Sequence, residues 1–194
     1  FESIGHKCVS VHNLQLNTFS RQNDFLTDPK LTAVFVGGGE TFCLLDEIRR
    51  NNMDDTLAHR VKNGLKYIGS SAGSVLAGPT IMTTNDNPIA FPRGTRTKEF
   101  NALNIINFQI KPHYWHGKLR EDYNGETQEQ RIKKYHVRNS YPVVALPEGS
   151  FLRVEGENVM LKGDMAARYF EKGAEPEVWP VNTVRFFPSF EKRG

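Results

Sequence analysis

Cysteine is the scarcest reactive residue in this chain of 194 residues, which holds only Cys8 and Cys43. Two isolated thiols are too few for a disulfide framework or a cysteine metal site, and their apolar neighbours are typical of reduced thiols in a core. We therefore expect a reducing compartment, the cytoplasm, and we expect neither a metal nor another cofactor.

Long apolar runs and a strong excess of one charge are also missing. No apolar run approaches the roughly 20 residues that a membrane span needs. Lys and Arg number 25 against 22 Asp and Glu, and this net charge of +3 provides no basic stripe of the kind that binds nucleic acid. We expect neither a membrane nor a nucleic acid as partner, and the oligomeric state stays open.

Apolar runs alternate with helical patterns, and no linker or internal repeat interrupts them. Strands are predicted over residues 8–11, 32–36, 65–68, 105–110 and 143–146, and helices over residues 41–49, 54–62 and 127–136. This alternation predicts one α/β domain over residues 1–194, with a mostly parallel sheet flanked by helices. Short strands at residues 151–154, 158–161 and 184–187 predict an antiparallel edge or cap. Residues 1–5 resemble the end of a helix, so we expect an N-terminal piece to be absent.

Residues 67–73 read Tyr-Ile-Gly-Ser-Ser-Ala-Gly, so an apolar strand runs into a turn of small residues. This is the composition of a nucleophile elbow, in which glycines two residues before and after a serine allow a sharp strand-to-helix turn. Ser71 fits the central position. A helix over residues 72–77, which must stop at Pro79, then points its free N–H groups at the atom that Ser71 attacks. The alternative is a plain tight turn.

Two further polar side chains follow predicted strands. His113 comes after the strand at residues 105–110, and Glu148 comes after the strand at residues 143–146. The carboxyl ends of parallel strands meet at one edge of a sheet, and serine hydrolysis needs a base together with a group that orients it. Ser71, His113 and Glu148 meet these needs. Glu126 competes with Glu148, but its place at a predicted helix start favours a capping role.

Three glycines at residues 37–39 end the strand at residues 32–36, without the flanking residues of a phosphate or dinucleotide site. Their N–H groups are predicted to complete an oxyanion hole with the N–H of Ala72. The alternative is a tight turn into a helix capped by Thr41. Asp86 lies in a Thr-Thr-Asn-Asp-Asn-Pro loop, where it either forms an Asx turn or receives a substrate ammonium group.

Four blocks of this sequence resemble the aspartyl dipeptidase family, dipeptidase E, and the resemblance extends along essentially the whole chain. They are Val-Gly-Gly-Gly-Glu-Thr-Phe at residues 36–42, the segment from Tyr-Ile-Gly-Ser-Ser-Ala-Gly to Thr-Thr-Asn-Asp at residues 67–86, Gln-Ile-Lys-Pro-His at residues 109–113, and Leu-Pro-Glu-Gly at residues 146–149. The resemblance implies a fold similar to class I glutamine amidotransferases. It also implies hydrolysis of dipeptides with an N-terminal aspartate.

The resemblance implies a role for each matching residue. Ser71 is the implied nucleophile, His113 the base and Glu148 the orienting acid, in that chain order. An oxyanion hole near Gly38, Gly39 and Ala72 is also implied, together with substrate contact by Asp86. The resemblance further implies a first strand and helix before Phe1, which we therefore expect to be missing from this sequence.

One departure from the family concerns residues 125–131, which read Gly-Glu-Thr-Gln-Glu-Gln-Arg. Family members carry an arginine at the position of Gln128. Because Gln128 and Arg131 are three residues apart on a predicted helix, both are expected to face one region. Arg131 is then the candidate to read the aspartate side chain, with Arg93 and Arg96 as alternatives.

The sequence therefore predicts a metal-free serine exopeptidase that cleaves Asp-Xaa dipeptides through an acyl-enzyme. Cyanophycinase-like cleavage of aspartyl polymers is the nearest enzymatic alternative. A non-catalytic relative that binds small molecules or a partner is the alternative of a different class, since a fold does not fix a function.

Overall fold

Strands and helices alternate along most of the computed structural model, which describes residues 2–10, 25–86, 100–117 and 125–188. The elements in chain order are β1 Ala33–Val36, α1 Thr41–Arg50, α2 Asp54–Lys62, β2 Lys66–Gly69, α3 Ala72–Leu76, β3 Gln109–Lys111, α4 Gln128–Arg138, β4 Val143–Ala145, β5 Ser150–Glu155, β6 Asn158–Gly163, β7 Ala167–Phe170, β8 Glu177–Trp179 and β9 Val184–Phe186. The predicted α/β class is confirmed, including the antiparallel C-terminal strands.

Two parallel ladders carry the strands that matter for the site. In the first, β1 pairs with β2 so that Val36 lies beside Gly69. In the second, β3 pairs with β4 so that Lys111 lies beside Ala145. Each ladder therefore ends with both carboxyl termini at the same edge. The glycine turn after β1 meets the elbow after β2, and the loop after β3 meets the loop after β4.

The C-terminal strands are antiparallel and fall into two groups. β7 pairs with β4 and then with β8, which extends the second ladder to four strands. β5, β6 and β9 form a separate three-stranded sheet. The strands β7 and β8 are absent from the sequence prediction, because each has only three or four residues and charged or polar residues lie within or beside it. Trp179, at the end of β8, is 1% exposed and packs with the core around β4 and β6.

The largest core lies around the first ladder. α1 directs Phe42, Leu45 and Ile48 into it, at the three-residue spacing of a helix face that packs on a sheet. Val75 and Leu76 of α3 and Leu57 of α2 pack into the same cluster. None of the helices within the described ranges is long and apolar enough to cross a membrane.

Two predicted strands differ from the structure. Residues 8–10 form no strand and are exposed, and Val11 lies outside the described residues. The predicted strand at residues 105–110 begins only at Gln109. Its first residues turn away because the N–H groups of Ile105 and Ile106 both donate to the carbonyl oxygen of Ala77, at 3.0 and 3.1 Å.

The prediction of two core thiols is wrong, since Cys8 and Cys43 are both exposed. Cys43 lies on the outer side of α1, between the inward-facing Phe42 and Leu45. A hydrogen bond to Glu40, together with burial and nearby carboxylates, raises the pKa of the Cys43 thiol to about 11. This thiol is therefore protonated at neutral pH and a poor nucleophile.

We predict that Gly73→Ala destabilises the fold, because a Cβ at Gly73 would overlap the carbonyl oxygen of Val36. An overlap with backbone costs about 3 kcal/mol or more, which lowers the melting temperature of a domain this size by roughly 6–12 °C. Gly37→Ala is the control, since its Cβ would meet only a Phe35 ring carbon, at 3.7 Å. Equal melting temperatures for the two variants would contradict this account of the elbow.

Candidate active site

Ser71 lies at the turn between β2 and α3, with a backbone φ of +51°. This left-handed conformation costs a residue other than glycine about 1–3 kcal/mol, so neighbouring contacts must hold it. Ser70 N–H donates to the Val36 oxygen at 3.0 Å, and Gly73 N–H donates to the Gly37 oxygen at 3.2 Å. Tyr67, whose pKa burial raises, donates its hydroxyl to the Gly73 oxygen at 2.6 Å. The elbow is thus tied to both strands of its ladder.

The structure brings Ser71, His113 and Glu148 into one chain of contacts. Ser71 Oγ lies 2.8 Å from His113 Nε2. On the other side of the ring, His113 Nδ1 makes a short contact with Glu148 Oε1. All three residues follow carboxyl ends of parallel strands: Ser71 follows a strand of the first ladder, and His113 and Glu148 follow the two parallel strands of the second. The His113 and Glu148 side chains are 47% and 81% exposed, so the group is open to solvent.

The competing carboxylate has another partner. Glu126 forms an ion pair with Lys134. The next residue, Thr127, caps α4 in a capping box with Gln130. The segment therefore does what its sequence pattern predicts, and the Glu126 carboxylate is engaged on α4.

The glycine turn lies against the candidate nucleophile. A Cβ on Gly38 would come within 3.1 Å of Ser71 Cβ, so the backbone of Gly38 touches the serine side chain. Gly39 and Ala72 line one cleft with Ser71 and His113. The helix after this turn is capped by Glu40, whose carboxylate accepts from Cys43 N–H at 2.6 Å, so the cap by Thr41 that the alternative interpretation assumed is not formed.

Asp86 lies in the same cleft as Ser71 and His113. Its Oδ2 accepts hydrogen bonds from Thr41 N–H at 2.7 Å and from Thr84 Oγ1 at 2.9 Å. Burial opposes ionisation, but the hydrogen bonds from Thr41 and Thr84 outweigh it and hold the pKa of Asp86 below its usual value. Asp86 is therefore an anion at neutral pH, in the cleft that the candidate nucleophile also lines.

Lys111 is a buried cation that the sequence analysis did not single out. Its side chain donates to the Thr84 carbonyl at 3.4 Å and to Asn85 Oδ1. Burial and the positive charge of Arg131 lower the pKa of Lys111 to about 8, against the opposing charge of Asp86. A lysine directly after a predicted apolar strand, two residues before the candidate base, is the sequence signal that could have found it.

Gln128 and Arg131, which the sequence places three residues apart on one helix, have different partners. Gln128 is 3% exposed, and its amide donates to the His113 carbonyl oxygen at 3.0 Å. Arg131 is exposed and lines a second cavity together with Lys111. That cavity shares Thr84 with the cleft that holds Ser71. The alternatives Arg93 and Arg96 lie outside the described residues.

A serine on an elbow, a histidine within hydrogen-bond reach and a carboxylate on the far ring nitrogen define an α/β protein with a site of the serine-hydrolase type. The sequence places it more narrowly. The chain belongs to Peptidase family S51, which it matches over residues 2–162.

Two relatives and one solved structure illustrate the likeness. A Peptidase E from Streptomyces coelicolor is 42% identical over 151 residues, which cover 78% of this chain and 60% of the relative. A "Probable alpha-aspartyl dipeptidase" from Drosophila melanogaster is 38% identical over 156 residues, covering 79% of this chain and 63% of the relative. A solved structure from Listeria monocytogenes shares the fold with a TM-score of 0.64 at 23% identity, covering 84% of this chain and 74% of that one. The chain thus spans less than two thirds of these two relatives.

We predict that Glu148→Gln lowers kcat for a cleavable dipeptide by about 10²-fold or more, because the histidine loses the acceptor that fixes its tautomer. Glu126→Gln is the matched control, since its carboxylate pairs with Lys134 on α4. The measurement is kcat of the two variants, obtained from steady-state kinetics. A larger loss in Glu126→Gln would move the orienting role away from Glu148.

Proposed function

We propose that this chain is a serine exopeptidase that hydrolyses Asp-Xaa dipeptides through an acyl-enzyme, without a metal. The observation that carries the proposal is the distance of 2.8 Å between Ser71 Oγ and His113 Nε2, with Glu148 on the opposite ring nitrogen. Membership of Peptidase family S51 supports peptide-bond hydrolysis. The Drosophila relative, described as an alpha-aspartyl dipeptidase, supports aspartate as the first residue.

In the proposed cycle, Ser71 Oγ attacks the carbonyl carbon of the aspartyl residue while His113 Nε2 takes the hydroxyl proton. The negative oxygen that forms is stabilised by backbone N–H groups of Gly38, Gly39 and Ala72. His113 then returns the proton to the leaving amine as the C–N bond breaks. Water attacks the acyl-enzyme with His113 again as base, and Ser71 leaves with its proton restored. Glu148 holds the ring and stabilises the imidazolium in both halves of the cycle.

The charges around the cleft suit the two charges of an N-terminal aspartate. The ionised Asp86 is the proposed partner of the α-ammonium group, and its Oδ1 has no hydrogen-bond donor within the described part of the chain. Lys111 and Arg131, on the adjoining cavity, are the proposed partners of the β-carboxylate. Removing two charges from water costs free energy, and pairing each charge with an opposite one offsets that cost.

The proposal is tested by labelling with a fluorophosphonate and by a panel of dipeptides. Ser71 should be labelled covalently, and Ser71→Ala should lose labelling and turnover while Ser70→Ala keeps both. Asp-Xaa should be cleaved in preference to Asn-Xaa and Glu-Xaa, and N-acetyl-Asp-Xaa should be rejected because it carries no ammonium group for Asp86. Absence of labelling at Ser71 would identify a non-catalytic binder. Undiminished cleavage of the acetylated substrate would indicate a polymer-cleaving enzyme.

We predict that the preference for Asp-Xaa over Asn-Xaa falls as the pH rises through about 8. Lys111 is charged below its pKa of about 8 and neutral above it, so its attraction for the β-carboxylate disappears in this range. Both substrates carry the same α-amino group, whose titration cancels in the ratio of their kcat/KM values. A ratio that stays constant from pH 7 to pH 9.5 would remove Lys111 from aspartate recognition.

Arg131→Ala is the companion variant for this experiment. It should lower the ratio of kcat/KM for Asp-Xaa to that for Asn-Xaa by a factor that corresponds to about 1.5 kcal/mol. This is the low end for a charged hydrogen bond, because the guanidinium is exposed. It should also move the midpoint of the pH dependence upward, since Arg131 is a like charge that lowers the pKa of Lys111. An unchanged ratio would mean that the aspartate side chain is read elsewhere.

A further inference from the structure

His113 has a strained backbone as well as a reactive ring. Its φ is +55°, in the left-handed region that residues other than glycine rarely adopt. Such a conformation costs about 1–3 kcal/mol and persists only where the surroundings hold it. One restraint follows directly, because the N–H of Tyr114 donates to the Leu146 oxygen at 2.9 Å. The orientation of the imidazole ring depends on this backbone conformation, so a contact that fixes the backbone also fixes the direction of the ring.

Gln128 supplies a second restraint on the same residue. Its Nε2 donates to the carbonyl oxygen of His113 at 3.0 Å. Gln128 is the first residue of α4, and the capping box of Thr127 and Gln130 fixes the start of that helix. The donor is therefore carried by a rigid element and lies 97% buried, given its exposure of 3%. The peptide group between His113 and Tyr114 is therefore held at both ends. Its carbonyl oxygen accepts from Gln128, and its N–H donates to Leu146.

The amide oxygen of Gln128, Oε1, indicates that the residue does more than stabilise the fold. Its Oε1 is buried and has no hydrogen-bond partner among the described residues. A buried acceptor without a donor costs about 1–3 kcal/mol, a cost that an apolar side chain of the same length would avoid. What only the amide provides at this position is the N–H bond to His113.

Gln128 is also absent from the linings of both cavities near the site. Lys111 and Arg131 line the second cavity, whereas Gln128 contacts the backbone of the candidate base. A direct reading of the substrate by Gln128 therefore has no support in this geometry.

We propose that Gln128 is a positioning residue for His113. Its amide holds the His113 carbonyl so that Nε2 points at Ser71 Oγ and Nδ1 points at Glu148. This inference rests on the proposed function in one respect. The orientation of the His113 ring affects the rate of hydrolysis only if His113 is the catalytic base.

The test is Gln128→Met, which keeps the length of the side chain and removes the N–H donor. We expect kcat for Asp-Xaa to fall at least tenfold with little change in KM, since a small misplacement of a catalytic group costs rate more than affinity. Fluorophosphonate labelling of Ser71 should slow by a similar factor. The melting temperature should stay the same or rise, because the unpaired Oε1 is gone. Lys133→Met, on the exposed side of the same helix, is the control and should leave all these values unchanged.

Gln128→Glu gives a readout in pH that a purely structural role would not produce. As a carboxylate, the new side chain repels the His113 oxygen, and as a carboxylic acid it donates to that oxygen. The labelling rate of Gln128→Glu relative to the unmodified chain should therefore rise as the pH falls from 8 to 5. A relative rate that is independent of pH would overturn the inference.

Nuclear magnetic resonance provides a readout that needs no activity. The Nδ1 proton of His113, assigned by its loss in His113→Ala, should shift or broaden in Gln128→Met because the ring is no longer held against Glu148. An unchanged resonance, a normal labelling rate in Gln128→Met, or a raised KM with normal labelling would each overturn the positioning role. Failure of the proposed function has a different signature, since Ser71 of the unmodified chain would then not be labelled.

Discussion

The close approach of Gly73 to the end of β1 is the constraint on which the rest of the site depends. No side chain fits between the two backbones, so α3 begins directly against the glycine turn. This leaves Ser71 in a left-handed conformation, with its side chain touching Gly38. The same contact places Ser71 at the end of the first ladder, where its Oγ lies 2.8 Å from His113 Nε2.

Charge balance around the cleft is the second constraint. Lys111 is buried beside the loop that carries Asp86, and each charge favours ionisation of the other. Arg131 adds a second positive charge near Lys111, without a carboxylate partner among the described residues. Two cations that repel each other are stabilised by an added anion. The cavity that they line is therefore better matched to a carboxylate than to a neutral amide.

Much of the fold and the candidate site could be read from local patterns. The helices α1 and α2 follow from their spacing of apolar residues, and the cap of α4 follows from Thr127 and Gln130. Ser71, His113 and Glu148 stand out because each follows a predicted parallel strand. The strand start at Gln109 could not be read, because the N–H groups of Ile105 and Ile106 find their acceptor on Ala77, far away in the sequence. Cys43 was misplaced because helix orientation, not local apolarity, decides which side is buried.

The sequence by itself determined the helices, most of the strands, the elbow and the identity of the polar residues at the strand ends, because these depend on short-range spacing and backbone preference. The tertiary structure decided which of these residues meet. It turned Gln128 towards the His113 backbone and left Arg131 beside Lys111, although the two residues are three apart on one helix. Spacing on a helix gives a direction only, whereas the partner that lies in that direction is set by the packing of α4 against the loop after β3.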